Sequence, residues 1–284
     1  TRGEVFHKAY VWEQLVPLWE KALEVAESLL GETSLDTALI QNNLAGLYRV
    51  QGKYAEAEPL YQRSLTISED KLGENHLDVA AALNNLAGLY RAQGKYTEAE
   101  PLYQRSLMIS EDKLGENHPD VATALNNLAG LYQAQGKYAE AEPLYQRSLT
   151  ICEDKPRAGQ SDVTTALGKL VLGEDYLHVA AALNNLAGLY RAHGKYAEAE
   201  LLYQRSLKIW EDKLGAMHQH VAIALNNLAG LYRVLGKYAE ADPLYQRAIV
   251  IMEKTFPDGH PKLDTFYANY AALKSICINE QVSG

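Results

Sequence analysis

The sequence repeats itself at a fixed interval. A pair of adjacent asparagines returns five times, and the intervals between the pairs are 42, 42, 58 and 42 residues. Residues 78–113 and 120–155 are nearly identical and differ at only five positions. A short repeated unit cannot bury its apolar face alone, so neighbouring units stack to build a continuous core. The repeat therefore predicts a single elongated array over residues 1–284.

Each unit contains two segments with the period of an α-helix. In the third unit apolar residues recur every three or four positions from Val121 to Tyr132, and the same spacing resumes after Gly136. We call the first segment helix A and the second helix B, and a glycine between them ends helix A. The pattern predicts A–B pairs at 35–72, 77–114, 119–155, 177–214 and 219–255, a leading helix B at 12–30 and a trailing helix A at 261–279.

The 58-residue interval exceeds the others because it contains an insertion at 156–171. Pro156 ends the preceding helix B, since proline cannot continue the hydrogen-bond pattern of a helix. Within the insertion, residues 162–167 imitate the start of a helix A, but Gly168 and Lys169 stand where the asparagine pair would follow. We expect a short extra helix here, outside the regular stack.

The spacing of the apolar, small and tyrosine residues within a unit resembles that of the tetratricopeptide repeat signature. The second unit carries it at Leu83, Leu86, Ala87, Tyr90, Gly94, Tyr96, Ala99 and Tyr103. The 42-residue unit and the strings HPDVATALNNLAGLY and GKYAEAEPLYQRSL are similar to the kinesin light chain type, and the near-identity of the units resembles bacterial arrays. The resemblance implies an all-α, right-handed superhelical solenoid of antiparallel helix pairs, whose A helices line a concave groove that binds peptides. A motor role is not implied, because residues 1–17 lack a heptad coiled coil.

A polar stripe on the A helices is the candidate site. Residues 84, 88 and 91 are separated by four and then three positions, so they share one helix face that is not the apolar one. Asparagine can both donate to and accept from a peptide backbone, and arginine binds carboxylates with two parallel hydrogen bonds. The predicted groove residues are Asn42, Arg49, Asn84, Gly88, Arg91, Asn126, Gln133, Asn184, Arg191, Asn226 and Arg233.

This stripe predicts a module that binds extended, acidic segments of a partner protein. Kinesin light chains bind peptides in which an aromatic residue is flanked by acidic ones, so the resemblance implies the same ligand chemistry. Two alternatives stay open at this point. The arginines could form a solvated face paired with neighbouring glutamates, and the glycine could serve close helix packing or open the groove floor to a ligand. The second asparagine of each pair, such as Asn85, is expected to be structural.

Charge and composition exclude several other classes. The net charge is −9 and the pI is about 5.4, which argues against nucleic acid as a partner. No apolar run reaches the roughly 18 to 20 residues that span a bilayer, so no membrane partner is expected. The two cysteines, Cys152 and Cys277, form no metal or disulfide pattern and indicate free thiols in a cytoplasmic protein.

We expect no enzyme, cofactor or metal site. The sequence has no Walker loop, nucleophile elbow or HExxH motif, and residues copied along a rod suit a single active centre poorly. Histidines recur before the A helices at His76, His118, His218 and His260. These loops lie at least one helix diameter apart, too far for ligands that must each approach one ion to about 2 Å.

Two other functions remain open from the sequence. The chain could be a structural scaffold that associates with itself through the trailing helix, which carries Phe266, Tyr267, Tyr270, Leu273 and Ile276 without an evident polar cap. It could also be the sensing arm of a larger multidomain protein.

Overall fold

The computed structural model describes residues 5–153, 174–256 and 261–283. Within these ranges the chain forms twelve α-helices and no β-strand. The helices are α1 (Val5–Leu30), α2 (Leu35–Val50), α3 (Tyr54–Leu72), α4 (Leu77–Ala92), α5 (Tyr96–Leu114), α6 (Pro119–Ala134), α7 (Tyr138–Glu153), α8 (Glu174–Ala192), α9 (Tyr196–Leu214), α10 (Gln219–Val234), α11 (Tyr238–Thr255) and α12 (Pro261–Ser283).

The all-α class and the A–B pairing are confirmed. Helices α2, α4, α6, α8 and α10 are A helices, and each is followed by its own helix B. The leading helix begins at Val5 rather than at residue 12, and the trailing helix ends at Ser283 rather than at residue 279. The extra helix expected within 156–171 lies outside the described residues. Apart from residues 1–8, the chain divides into two compact units, Ala9–Ile151 and Cys152–Gly284.

The helices begin and end where side chains or glycines satisfy the free backbone groups. The N–H of Asp78 donates to Nδ1 of His76 over 3.2 Å, and His118 and His218 cap α6 and α10 in the same way. These three loop histidines therefore act as helix N-caps. At the other end, Gly94 adopts a φ of +76°, a left-handed conformation that turns the chain from helix A into helix B.

The core is built between neighbouring repeats as well as within each one. Ala87 of α4 and Ala99 of α5 are fully buried, which allows the two helices of the pair to approach closely. Their cluster also contains Tyr103 of α5 and Leu128 and Leu131 of α6, the next helix A. Helix α5 is thus enclosed by α4 and α6, and helices α3 and α9 are enclosed in the same way within their own units.

Polar contacts repeat with the same register. The hydroxyl of Ser106 donates to the carbonyl of Ala80 over 2.7 Å, and Ser64, Ser148 and Ser206 make the equivalent bond within their own pairs. On the outer edge, Lys95 pairs with Glu58 of the preceding repeat over 3.1 Å while its ammonium lies over the ring of Tyr90. These pairs are partly exposed and each contributes little stability, but their repetition fixes the spacing of the stack.

Gln41 departs from this regularity. It is fully buried, and neither its amide nitrogen nor its carbonyl oxygen has a hydrogen-bond partner. The equivalent positions hold leucine, including the fully buried Leu83 and Leu125. Burying an amide without partners costs about 1–3 kcal/mol. The first complete repeat therefore carries a local defect in its core.

We predict that Gln41→Leu raises the free energy of unfolding by about 1–3 kcal/mol, because it removes the unpaired amide and restores the leucine of the other repeats. Urea unfolding followed by circular dichroism measures the change. The reciprocal substitution Leu83→Gln is the control and lowers stability. A loss of stability in Gln41→Leu would show that the amide has a structural role.

Candidate functional site

The stripe residues lie on one face of successive A helices, as the spacing predicts. In the first unit they occupy α2, α4 and α6, and in the second unit α8 and α10. Most of these side chains are half-buried, the exception being Asn226, which is buried at 8% exposure. The stripe is therefore accessible without being fully solvated.

The asparagines form a hydrogen-bonded ladder between repeats. Nδ2 of Asn85 donates to Oδ1 of Asn42 over 3.0 Å, and Asn127 donates to Asn84 over 2.9 Å. In the second unit the equivalent bonds join Asn227 to Asn184 and Asn269 to Asn226. The structural role expected of Asn85 is confirmed. Asn42, Asn84, Asn184 and Asn226 thus also serve the stack through their oxygens, and at Asn42 the amide nitrogen has no partner among the described residues.

The space over the stripe glycines is occupied by groups of the chain itself. A Cβ added to Gly130 would lie 2.7 Å from Nη1 of Arg91 and 3.4 Å from the hydroxyl of Tyr145. At Gly230 the corresponding distance to Nη1 of Arg191 is 2.8 Å. The arginine of one repeat therefore extends over the glycine of the next, and the missing side chain makes room for its guanidinium.

Helix B contributes tyrosine hydroxyls to the same surface. The rings of Tyr103 and Tyr145 are buried at 3% exposure, but each hydroxyl approaches the stripe glycine of its own repeat, Gly88 or Gly130. Sequence analysis did not assign these tyrosines to the site. A constant separation of 15 residues between glycine and tyrosine was the available signal.

Arginine positions determine the electrostatics around these hydroxyls. Burial raises the pKa of Tyr103, while the charges of both Arg91 and Arg49 act in the opposite direction. The third repeat carries Gln133 at the position of Arg91, and Oε1 of Gln133 accepts a hydrogen bond from the hydroxyl of Tyr145 over 2.9 Å. Burial raises the pKa of Tyr145 to about 12, and Arg91 is the one arginine whose charge acts in the opposite direction. The hydroxyls therefore stay protonated at neutral pH.

The second unit repeats this arrangement. Burial raises the pKa of Tyr245, and the charges of Arg233 and Arg191 oppose it. The array thus contains two places where a tyrosine hydroxyl is flanked by the arginines of consecutive repeats. At each place the positive charges of two arginines act on one hydroxyl, and a positive environment of this kind favours an anion.

The stripe arginines lack carboxylate partners. Among the described residues, no Asp or Glu lies within ion-pair distance of Arg49, Arg91, Arg191 or Arg233. Glutamate pairing belongs to other arginines on the B helices, such as Arg63 with Glu27 at 3.1 Å and Arg247 with Glu211 at 2.7 Å. In addition, Nε of Arg49 and of Arg233 is buried without an acceptor. The stripe is thus not the glutamate-paired surface that the sequence left open.

Known family profiles match most of this chain. Profiles described as tetratricopeptide repeat match residues 2–70, 36–112, 78–154, 179–220 and 221–262. The chain belongs to the tetratricopeptide repeat (TPR) family. TPR proteins are in general protein–protein interaction modules rather than enzymes, and the stripe described above lies on the A helices of such an array.

Solved TPR structures give the same fold. A kinesin light chain-type protein with nearly identical TPR-like repeats from Podosopora anserina is 26% identical, with a TM-score of 0.58 over 78% of this chain and 98% of that one. BtubC (BKLC) from P. vanneervenii is 24% identical, with a TM-score of 0.63 over 88% of this chain and 94% of that one. A comparison with curated protein sequences gives no significant match.

Among the described residues, no helix combines the length and hydropathy needed to cross a bilayer. In the same part of the chain, no three His, Cys, Asp or Glu side chains are grouped as metal ligands would be.

We predict different effects of alanine at two stripe glycines. Gly46→Ala raises the free energy of unfolding by about 0.5–1 kcal/mol, because alanine favours the helix and its Cβ would lie 3.5 Å from the nearest atom, an ordinary contact with Tyr61. Gly130→Ala raises the free energy of unfolding by a smaller amount, because its Cβ displaces the guanidinium of Arg91. Thermal unfolding of both variants tests this. Equal gains would show that the guanidinium is not held over Gly130.

Proposed function

We propose that this TPR array is an interaction module that binds extended, acidic segments of a partner protein in the groove lined by the stripe. The observation that carries the proposal is the set of half-buried stripe arginines without carboxylate partners. A partially desolvated guanidinium without an anion is costly, and a ligand carboxylate offsets that cost. The free thiols of Cys152 and Cys277 are compatible with a cytoplasmic location.

The flanked tyrosines give the carboxylates a definite place. A carboxylate between Arg49 and Arg91 would accept hydrogen bonds from two guanidinium groups, and the hydroxyl of Tyr103 is an additional donor there. The same holds for Arg191, Arg233 and Tyr245 in the second unit. The third repeat contributes less, since Gln133 carries no charge. The preferred ligand thus has acidic residues that reach one of these two places.

The backbone of the segment would be held by asparagine. The amide nitrogen of Asn42 has no partner among the described residues and can donate to a peptide carbonyl, while its oxygen remains in the ladder. The aromatic component of the ligand comes from the resemblance to the kinesin light chain type and completes the proposed motif, an aromatic residue flanked by acidic ones.

Charge reversal tests this proposal. Arg49→Glu combined with Arg91→Glu should lower the affinity for a labelled peptide with a tryptophan between glutamates at least about tenfold, because both carboxylate donors are replaced by like charges. Fluorescence polarisation measures the affinity. Added salt should weaken the binding of the unaltered protein as well.

Lys71→Glu combined with Lys113→Glu is the matched control. These lysines are exposed on α3 and α5 of the same two repeats, and their reversal changes the net charge by the same amount. Binding that is equal in the two double variants would contradict the proposed groove, because it would leave only the overall charge as the cause.

A second candidate is self-association through the trailing helix. Helix α12 buries Phe266 and Leu273 against the preceding repeat, but Tyr267 and Ile278 are 42% and 58% exposed on its surface. Tyr270 is half-buried and its hydroxyl is hydrogen-bonded with Asp242. The exposed pair, rather than Leu273 and Tyr270, is the surface that a second copy would contact.

If the helix associates, Tyr267→Ser combined with Ile278→Ser should convert an oligomer into a monomer without loss of helicity, because neither side chain is buried in the fold. Light scattering across a concentration series measures this. A monomer before and after substitution removes the scaffold function.

A further inference from the structure

The N-terminal ends of the A helices α2 and α4, away from the stripe arginines, carry acidic and apolar side chains instead. In the first unit a cavity of about 320 Å³ lies between α2 and α4, at the N-terminal ends of these A helices. It is lined by Leu35, Asp36, Leu39, Asn42, Asp78 and Ala81 among others. Asn42 belongs both to this cavity and to the stripe, so that the cavity continues the candidate groove. Its volume is within the range of sites that hold a side chain or a small ligand.

The lining of the cavity combines exposed leucines of α2 with the buried Ser64 and Ser68 of α3. Leu39 and Leu35 are 59% and 41% exposed, high values for leucine side chains. At the position of Leu39 the next two A helices carry Ala81 and Thr123, so a large side chain is not required there by the packing of the repeat. The leucines of α2 thus offer an apolar surface that the fold itself does not use.

The rim of the cavity is acidic and not neutralised by this chain. Asp36 has no ion pair among the described residues. Asp78 has only His76 nearby, with Nδ1 at 3.5 Å from the carboxylate, and that nitrogen already accepts the backbone N–H of Asp78. An Nδ1 that accepts a hydrogen bond carries no proton to share with the carboxylate.

Helix stabilisation alone does not explain these carboxylates. Acidic residues near a helix N-terminus interact favourably with the helix dipole. However, the equivalent position of α10 holds His220, and that helix forms with no acidic residue in its first turn. The combination of acidic rim and exposed leucines is therefore a property of the first repeats, not of the fold.

We propose that this cavity binds a lysine or arginine side chain of the same bound segment, an inference that rests on the proposed function. The aliphatic stem packs on Leu35, Leu39 and Ala81, and the charged head lies at Asp36 and Asp78. Charge complementarity selects a basic side chain over an acidic one, and the exposed leucines select a long stem over a small polar group.

The proposed ligand then carries a basic residue for the cavity and an acidic residue for the stripe arginines. Positions 36 and 49 are 13 residues apart on α2, which corresponds to about 20 Å along the helix axis. An extended peptide covers that distance with about six residues. The ligand carries its basic residue about six positions from the acidic residue bound by Arg49 and Arg91, so the segment binds in one direction only.

A double-mutant cycle tests the inference. Three labelled peptides share an acidic, aromatic end and carry lysine, leucine or glutamine six positions away. The lysine peptide should bind the unaltered protein about fivefold or more tightly than the other two. In Asp36→Asn combined with Asp78→Asn this advantage should fall below about twofold, while Asp70→Asn combined with Asp112→Asn, exposed residues of α3 and α5, should retain it.

The possible outcomes separate the two proposals. If leucine binds as tightly as lysine, or the advantage of lysine survives in the Asp36 and Asp78 variant, the cavity does not recognise a basic side chain. Methyl NMR adds a readout that does not need the acidic end: a lysine peptide without acidic residues should shift the methyl signals of Leu35 and Leu39, and no shift overturns the inference. Methyl shifts without any affinity for acidic peptides would refute the groove arginines alone.

Discussion

The hydrogen-bonded register between neighbouring A helices is the constraint on which the rest of the structure depends. Asn85 donates to Asn42 and Asn127 to Asn84, so neighbouring repeats of the first unit are held at the same offset. Side-chain amides in a partly buried interface have strict directional requirements, whereas apolar contacts tolerate small shifts. Within each unit this register places the arginine of one repeat over the glycine of the next, as at Gly130 and Gly230.

Because the units repeat, the same arrangement of arginine and tyrosine recurs along the A helices. An arginine that extends to the next repeat reaches the hydroxyl of that repeat's tyrosine, so Tyr103 lies beside both Arg49 and Arg91. The B-helix arginines, in contrast, are neutralised by glutamates and hold the repeats together. The same residue type is thus paired with carboxylates on the B helices and left without them on the A helices, and this difference is the basis of the binding role proposed for the stripe arginines. Sites that leave charges unpaired are where sequences depart from maximal stability.

Periodicity was sufficient to predict the helix pairs, their order and the face that carries Asn84 and Arg91. Contacts between repeats were not predictable, because the position of a side chain relative to the next unit depends on the angle between helix pairs and not on spacing along the chain. For this reason the tyrosine hydroxyls at the stripe and the guanidinium over Gly130 were missed. The capping role of His76 was missed as well, although its place before an A helix was the visible signal. Gln41 could be identified as an exception to the repeat, but its burial without partners required coordinates.

The most direct measurement of the central claim is side-chain NMR of the arginine Nε–Hε groups during titration with an acidic peptide. If the stripe is the binding surface, the signals of Arg49 and Arg91 shift and become protected from exchange with water, while those of Arg63 and Arg105, already paired with glutamates, stay unchanged. Shifts at the B-helix arginines with none at Arg49 and Arg91 would contradict the account.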